Sequence, residues 1–202
     1  MAVRPGLYLQ RRWVEGVIFD LDGTLVDSRL DFSAIRAELG CPAGVDVLEY
    51  IDSLPEADQA RGHEVVLRHE REGAERAEWM PGAEACLQRL KTAGIPVGVL
   101  TRNARDIARL TLSRLGGSIE CLLAREDAAP KPAPDGLLHI AREWGQAPQQ
   151  LAYVGDFRFD LEAARNADMA GVYYDPKGTN QHSHLADSVI QHFDELVPFR
   201  DD

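Results

Sequence analysis

The sequence predicts an α/β protein: a parallel sheet with helices on both faces, plus a small all-helical insertion after the first strand. Three observations carry the prediction. Short β-type runs alternate with amphipathic helical patterns, the alternation is interrupted once, over residues 29–79, and 202 residues with 45% hydrophobic content suffice for one sizeable core.

The elements follow in order. Val17-Ile18-Phe19 is a continuous apolar run, as a strand buried on both faces requires. Residues 29–79 then show helical patterns without a convincing strand. Within them Val45, Leu48, Ile51 and Leu54 make a narrow apolar stripe. Residues 56–78 carry charges of both signs, with Val65, Val66 and Leu67 as the chief apolar anchor, a composition suited to a solvated helix face. Pro81-Gly82 returns the chain to its main body. From there a helix is expected over 85–93, a strand over 96–100, a helix over 104–115 and a strand over 119–123. A helix over 135–144, a strand over 151–154, a helix over 160–167 and a strand over 171–174 complete the series. Gly94 and Gly116 stand where helix stops are expected. Strands joined through helices are crossover units, hence parallel neighbours. The expected division is a core of residues 1–28 and 80–202 with an insertion of 29–79.

Composition excludes several functions. A net charge of -11 and a pI near 5.0 argue against nucleic acid or an anionic membrane surface as partner, because both demand clustered positive charge. The first 16 residues contain Arg4, Arg11 and Arg12 but no apolar stretch of signal-peptide length, and no run is long enough to span a bilayer. A soluble, cytoplasmic protein is expected. Cys41, Cys86 and Cys121 are widely spaced and suggest neither a disulfide framework nor a zinc site. His182-Ser183-His184 has the look of a ligand pair, but in a polar loop such a pair is expected to be solvated.

Chemistry concentrates where the strands end. Asp20 and Asp22 leave the first apolar run two residues apart, so on an extended chain both face one small volume. Two carboxylates about 4 Å apart repel by roughly 4 kcal/mol at an effective dielectric near 20, which calls for a bound cation or a retained proton. A calcium loop is excluded, because its sixth and twelfth positions would be Leu25 and Asp31 instead of Gly and Glu. Open parallel sheets gather ligands at the carboxyl ends of their strands. There, Thr101, Arg102 and Asn103 precede a helix whose free N–H groups suit an anion such as phosphate. Lys131 is restrained between Pro130 and Pro132, and Gly155-Asp156-Phe157-Arg158-Phe159-Asp160 supplies two further acids.

Taken together, Asp20-Leu21-Asp22-Gly23-Thr24, Thr101, Lys131 and Gly155-Asp156-x-x-x-Asp160 resemble, in order, the four motifs of the haloacid dehalogenase superfamily. The inserted residues look like the helical cap of its phosphoglycolate-phosphatase-like branch, in a short form. The resemblance implies a Rossmann-like core and a magnesium-dependent phosphatase of small phosphorylated metabolites. It implies Asp20 as nucleophile, Asp22 as general acid and then base, and Lys131 as the charge-stabilising cation. Thr101, Arg102 and Asn103 would hold the phosphate. Asp20, Asp22 through its carbonyl and Asp156 would hold Mg2+, with Thr24 and Asp160 in support behind them. A phosphomutase of the β-phosphoglucomutase type shares these motifs and is the alternative activity; a catalytically silent, partner-binding member of the fold is the alternative of a different class, because architecture alone does not fix activity.

Overall fold

In the computed structural model, residues 5–9, 12–117 and 119–199 are described; Arg4 and Arg11 lie outside them. The chain begins with β1 (Gly6–Leu9), β2 (Arg12–Val14), β3 (Gly16–Phe19) and β4 (Val26–Asp27). Three helices follow, α1 (Phe32–Leu39), α2 (Val47–Asp52) and α3 (Glu56–Arg76), and then β5 (Glu78–Trp79). Next come α4 (Ala83–Thr92), β6 (Val97–Leu100), α5 (Arg105–Arg114), β7 (Cys121–Leu123) and α6 (Asp135–Trp144). The last elements are β8 (Leu151–Gly155), α7 (Arg158–Asn166), β9 (Ala170–Tyr174), β10 (Ser188–Ile190) and β11 (Pro198–Phe199).

Six strands form one parallel sheet in the order β10-β9-β8-β3-β6-β7. The chain leaves the central strand β3 towards β6 and β7, and only later adds β8, β9 and β10 on the other side. That reversal is a topological switch point, and the carboxyl ends of β3, β6 and β8 surround the crevice it makes. Side chains alternate across the sheet. Val17, Phe19, Val99 and Val154 pack on one face with Leu90, Leu112 and Phe193, while Ile18, Leu100 and Tyr153 pack on the other with Leu137, Ile140 and Ala163. The all-buried pattern of β3, β8 and β9 explains why these strands read as apolar runs.

Between β4 and β5 stand the three inserted helices. Asp31 caps α1 by accepting from Ser33 and Ala34 N–H at 2.9 and 3.0 Å, and Asp46 caps α2 by accepting from Leu48 and Glu49 at 3.0 and 3.2 Å. Ile35, Val47, Ile51 and Val66 form the insertion's own small core. A second cluster, Leu67 and Ala74 of α3 with Ala104 and Ile107, docks α3 on the start of α5. The expected apolar stripe needs correction at one end: Val45 is 38% exposed, because the cap at Asp46 starts the helix at Val47 and leaves Val45 outside it.

Six strands outside the expected series also appear in places where pattern is weak. β4 and β5, two residues each, pair antiparallel and fasten the base of the insertion, so residues 29–79 do contain a strand. β1, β2 and β11 form a separate antiparallel sheet in which Gly6 opposes Phe199. β10 extends the main sheet beside β9. His182 is also corrected: it is buried against Phe157 and Tyr173, with ring centroids at 5.2 and 5.7 Å. The three cysteines are free, and no helix among the described residues is long and apolar enough to cross a membrane.

Candidate active site

Asp20 follows β3 directly, and its N–H donates to Val154 C=O at 2.9 Å, which ties the strand end to β8. The chain then turns sharply. Gly23 adopts φ +81°, and a Cβ there would sit 2.4 Å from Asp156 Oδ2, so only glycine lets this turn close against β8. The turn sets Thr24, fully buried, where its hydroxyl donates to Asp156 Oδ1 at 3.2 Å.

Lys131 is the hub of the site. Its ammonium donates to Asp20 Oδ1 at 2.6 Å, to Asp160 Oδ1 at 2.6 Å and to the Tyr153 hydroxyl at 3.0 Å. Burial opposes charge on Lys131, yet the carboxylates of Asp160 and Asp20 outweigh it and hold the amine protonated, above the ordinary lysine range. Burial raises Asp20 well above the usual carboxylate value, with Lys131 opposing. Burial and the neighbouring Asp160 push Asp156 up to about 6. Asp160 reaches this cluster because α7 passes tightly over the end of β8: a Cβ on Gly155 would lie 2.3 Å from Asp160 Cβ.

Carboxylate oxygens of Asp20, Asp156 and Asp160 all lie within 4.8 Å of one another. Two buried acids, Asp20 and Asp160, and the half-buried Asp156 stand around one ammonium, and their donors are all hard oxygens, so the arrangement fits a hard divalent cation. Asp22 directs its carboxylate elsewhere. Asn103 Nδ2 and the buried Ser28 hydroxyl donate to it, and burial, outweighing those bonds, raises its pKa. Thr101 is buried beyond β6, and its Oγ1 accepts from the N–H of Asn103 at 3.1 Å, shaping the loop before α5.

All nine residues expected at the site are thus found around one crevice, with two qualifications. Arg102 turns from the acids and forms a bidentate pair with Asp46 of the insertion, at 2.9 and 2.8 Å. Asn103 spends its side-chain amide on Asp22.

Sequence reasoning missed four contributors. Tyr153 lies in an apolar run, where the signal was its hydroxyl, since a buried phenol needs a partner; here that oxygen also sits 3.0 Å from Leu100 C=O and 3.1 Å from Asp160 Oδ1. Ser28 had only its place directly before the insertion. Glu70, on α3, is buried against Arg125, whose Nη1 donates to it at 2.6 Å; burial pushes Glu70 up to about 7 despite that partner. Neither Glu70 nor Asp46 stands out from the other acids of a charged segment.

A crevice at the switch point of a parallel sheet, holding a carboxylate-lysine-carboxylate hub, has the form of an α/β enzyme's ligand site. Residues 37–168 match the model of the haloacid dehalogenase-like hydrolases, and the chain belongs to that family. It is 32% identical over 166 residues to a haloacid dehalogenase-like hydrolase domain-containing protein of Arabidopsis thaliana, covering 76% of this chain and 68% of that one. It is 33% identical over 183 residues to a phosphoglycolate phosphatase of Xanthomonas campestris, covering 80% and 83%. The fold is shared with a hydrolase from Pseudomonas syringae of known structure, at a TM-score of 0.74 and 22% identity over 91% of this chain and 99% of the other.

Proposed function

We propose that this hydrolase is a magnesium-dependent phosphatase that releases phosphate from small phosphomonoesters through an aspartyl-phosphate on Asp20. The observation that carries the reading is the Lys131 ammonium, 2.6 Å from Asp20, with Asp156 and Asp160 close enough to share a cation. A divalent cation at that cluster supplies the charge neutralisation that lets an anionic nucleophile and a phosphate occupy one site. Asp20, Asp156 and the Asp22 carbonyl would hold it, with Thr24 and Asp160 in support.

Asp20 attacks phosphorus, and the bond from phosphorus to the leaving oxygen breaks. Asp22, favoured in its protonated form by burial, gives that oxygen its proton and then takes one from the water that hydrolyses the aspartyl-phosphate. Lys131 offsets charge on Asp20 and on the transferring group, while Thr101 and the N–H groups of the loop before α5 hold the phosphoryl oxygens. Residues 29–79 act as a cap over the crevice and exclude water from it. The acidic surface fits a cytoplasmic enzyme whose substrate is captured by local cations. The relative from Xanthomonas campestris supports the same class by its name.

The test is phosphate release from a panel of phosphomonoesters with and without magnesium, for the parent protein and for Asp20→Asn. The parent should be active only with the metal, and the variant should fold and be inactive. Near-parental turnover by Asp20→Asn refutes the nucleophile.

A further inference from the structure

We infer that the leaving group this enzyme accepts is uncharged and offers an apolar face, because Asp46 of the insertion already occupies the guanidinium of Arg102, next in sequence to Thr101, beside an exposed aromatic wall. The inference rests on the phosphatase reading above and narrows its substrate class.

Arg102 stands next to Thr101, and both terminal nitrogens of its guanidinium are taken by Asp46. Asp46 is itself fixed in place, since the same carboxylate caps α2. Burial tends to raise its pKa, but the bonds and charge of Arg102, together with the N–H groups of Glu49 and Leu48, outweigh burial and hold the carboxylate below its ordinary value. A tethered carboxylate competes at an effective concentration of millimolar order, and bidentate pairing adds to its hold. A substrate carboxylate at lower concentration therefore loses that contest. Arg125, the second guanidinium between insertion and core, is likewise held by Glu70. Arg158 is exposed, so salt screens its charge.

Arg102 Nε is buried and without a hydrogen-bond partner among the described residues, so it gives an incoming anion no substitute for the two nitrogens that Asp46 holds. Beside it the ring of Phe159 lies under Arg102 at 5.5 Å and under Arg158 at 4.7 Å. Phe157 meets the Phe159 ring at 5.3 Å and His182 at 5.2 Å, yet remains 45% exposed. A phenylalanine braced on two sides, exposed, and next in sequence to Asp156 is a preformed apolar platform at the mouth of the site.

The test uses the full chain with magnesium and compares kcat/KM for phenyl phosphate with kcat/KM for phosphoglycolate. The parent should favour phenyl phosphate by about tenfold or more. Asp46→Asn keeps the helix cap but frees Arg102, and should lower that ratio about tenfold by improving phosphoglycolate turnover. Phe157→Ser should lower the ratio about fivefold by weakening phenyl phosphate turnover alone. A parent that favours phosphoglycolate, or either variant leaving the ratio within about twofold, overturns the inference. Absence of turnover on every phosphomonoester overturns the phosphatase reading beneath it, whereas turnover with an unmoved ratio overturns this inference only.

Discussion

Replacing Lys131 with methionine tests the hub of the site without asking anything of the substrate. The ammonium lies 2.6 Å from carboxylates of both Asp20 and Asp160, and the three side chains are 6%, 10% and 2% exposed. At an effective dielectric near 20, each contact is worth about 6 kcal/mol of gross attraction. Desolvation offsets most of that, but removing one partner of a buried pair leaves uncompensated charge and costs about 3–5 kcal/mol. Asp20 and Asp156 already have raised pKa values, so in the variant they take up protons more readily. A carboxylate whose folded pKa is raised contributes stability below its unfolded pKa and loses it as pH rises through the folded pKa. The deficit should therefore be small near pH 4 and go on growing as pH rises past the parent's folded value of Asp156, about 6, because loss of Lys131 moves both carboxylates higher still. Magnesium should return part of it, about 2.7 kcal/mol at a hundredfold excess over Kd, by supplying the missing positive charge. Urea unfolding at pH 5 and pH 8, each with and without magnesium, reads all of this. A Lys131→Met midpoint equal to the parent's at pH 8 without magnesium would refute the reasoning.

Other substitutions probe the neighbouring shells. Glu70 has a folded pKa of about 7 against an ordinary 4.5, so its charging in the folded state costs about 3 kcal/mol, felt between those two pH values as stability lost on going up. Glu70→Gln should flatten the pH dependence of unfolding free energy across that window, and an unchanged slope would rule the effect out. Gly155→Ala should destabilise by about 1–3 kcal/mol, since its methyl would meet Asp160 at 2.3 Å; a thermal midpoint equal to the parent's would count against the tight passage of α7 over β8. Thr24→Val removes the hydroxyl that orients Asp156, and calorimetry should find magnesium bound about tenfold more weakly. Equal affinity would show that Thr24 has no orienting role.

How much of this was legible in the chain depends on distance. The strands carrying Asp20, Thr101 and Asp156 are apolar because they are buried on both faces, so their ends, and the polar residues placed there, stood out. α6 falls on residues 135–144 as its periodicity predicts. β1 and β11 did not stand out, because each acquires its partner from the far end of the chain. The pairs Asp46–Arg102 and Glu70–Arg125 were unreadable for a related reason. Their acids lie in a segment full of charge, and only three-dimensional docking of the insertion selects which two meet the core.

The central position of β3 also bears on how the polypeptide is made. β3 emerges early, yet its two edges are completed by residues 97–99 and 151–154, from the middle and last third of the chain. During synthesis the segment leading to Asp20 therefore stays unpaired on one edge until β8 has left the ribosome. Such long-range pairing slows assembly and leaves a hydrophobic edge open to other nascent chains. The three inserted helices, by contrast, can close their small cluster from residues 35–66 alone while β3 waits.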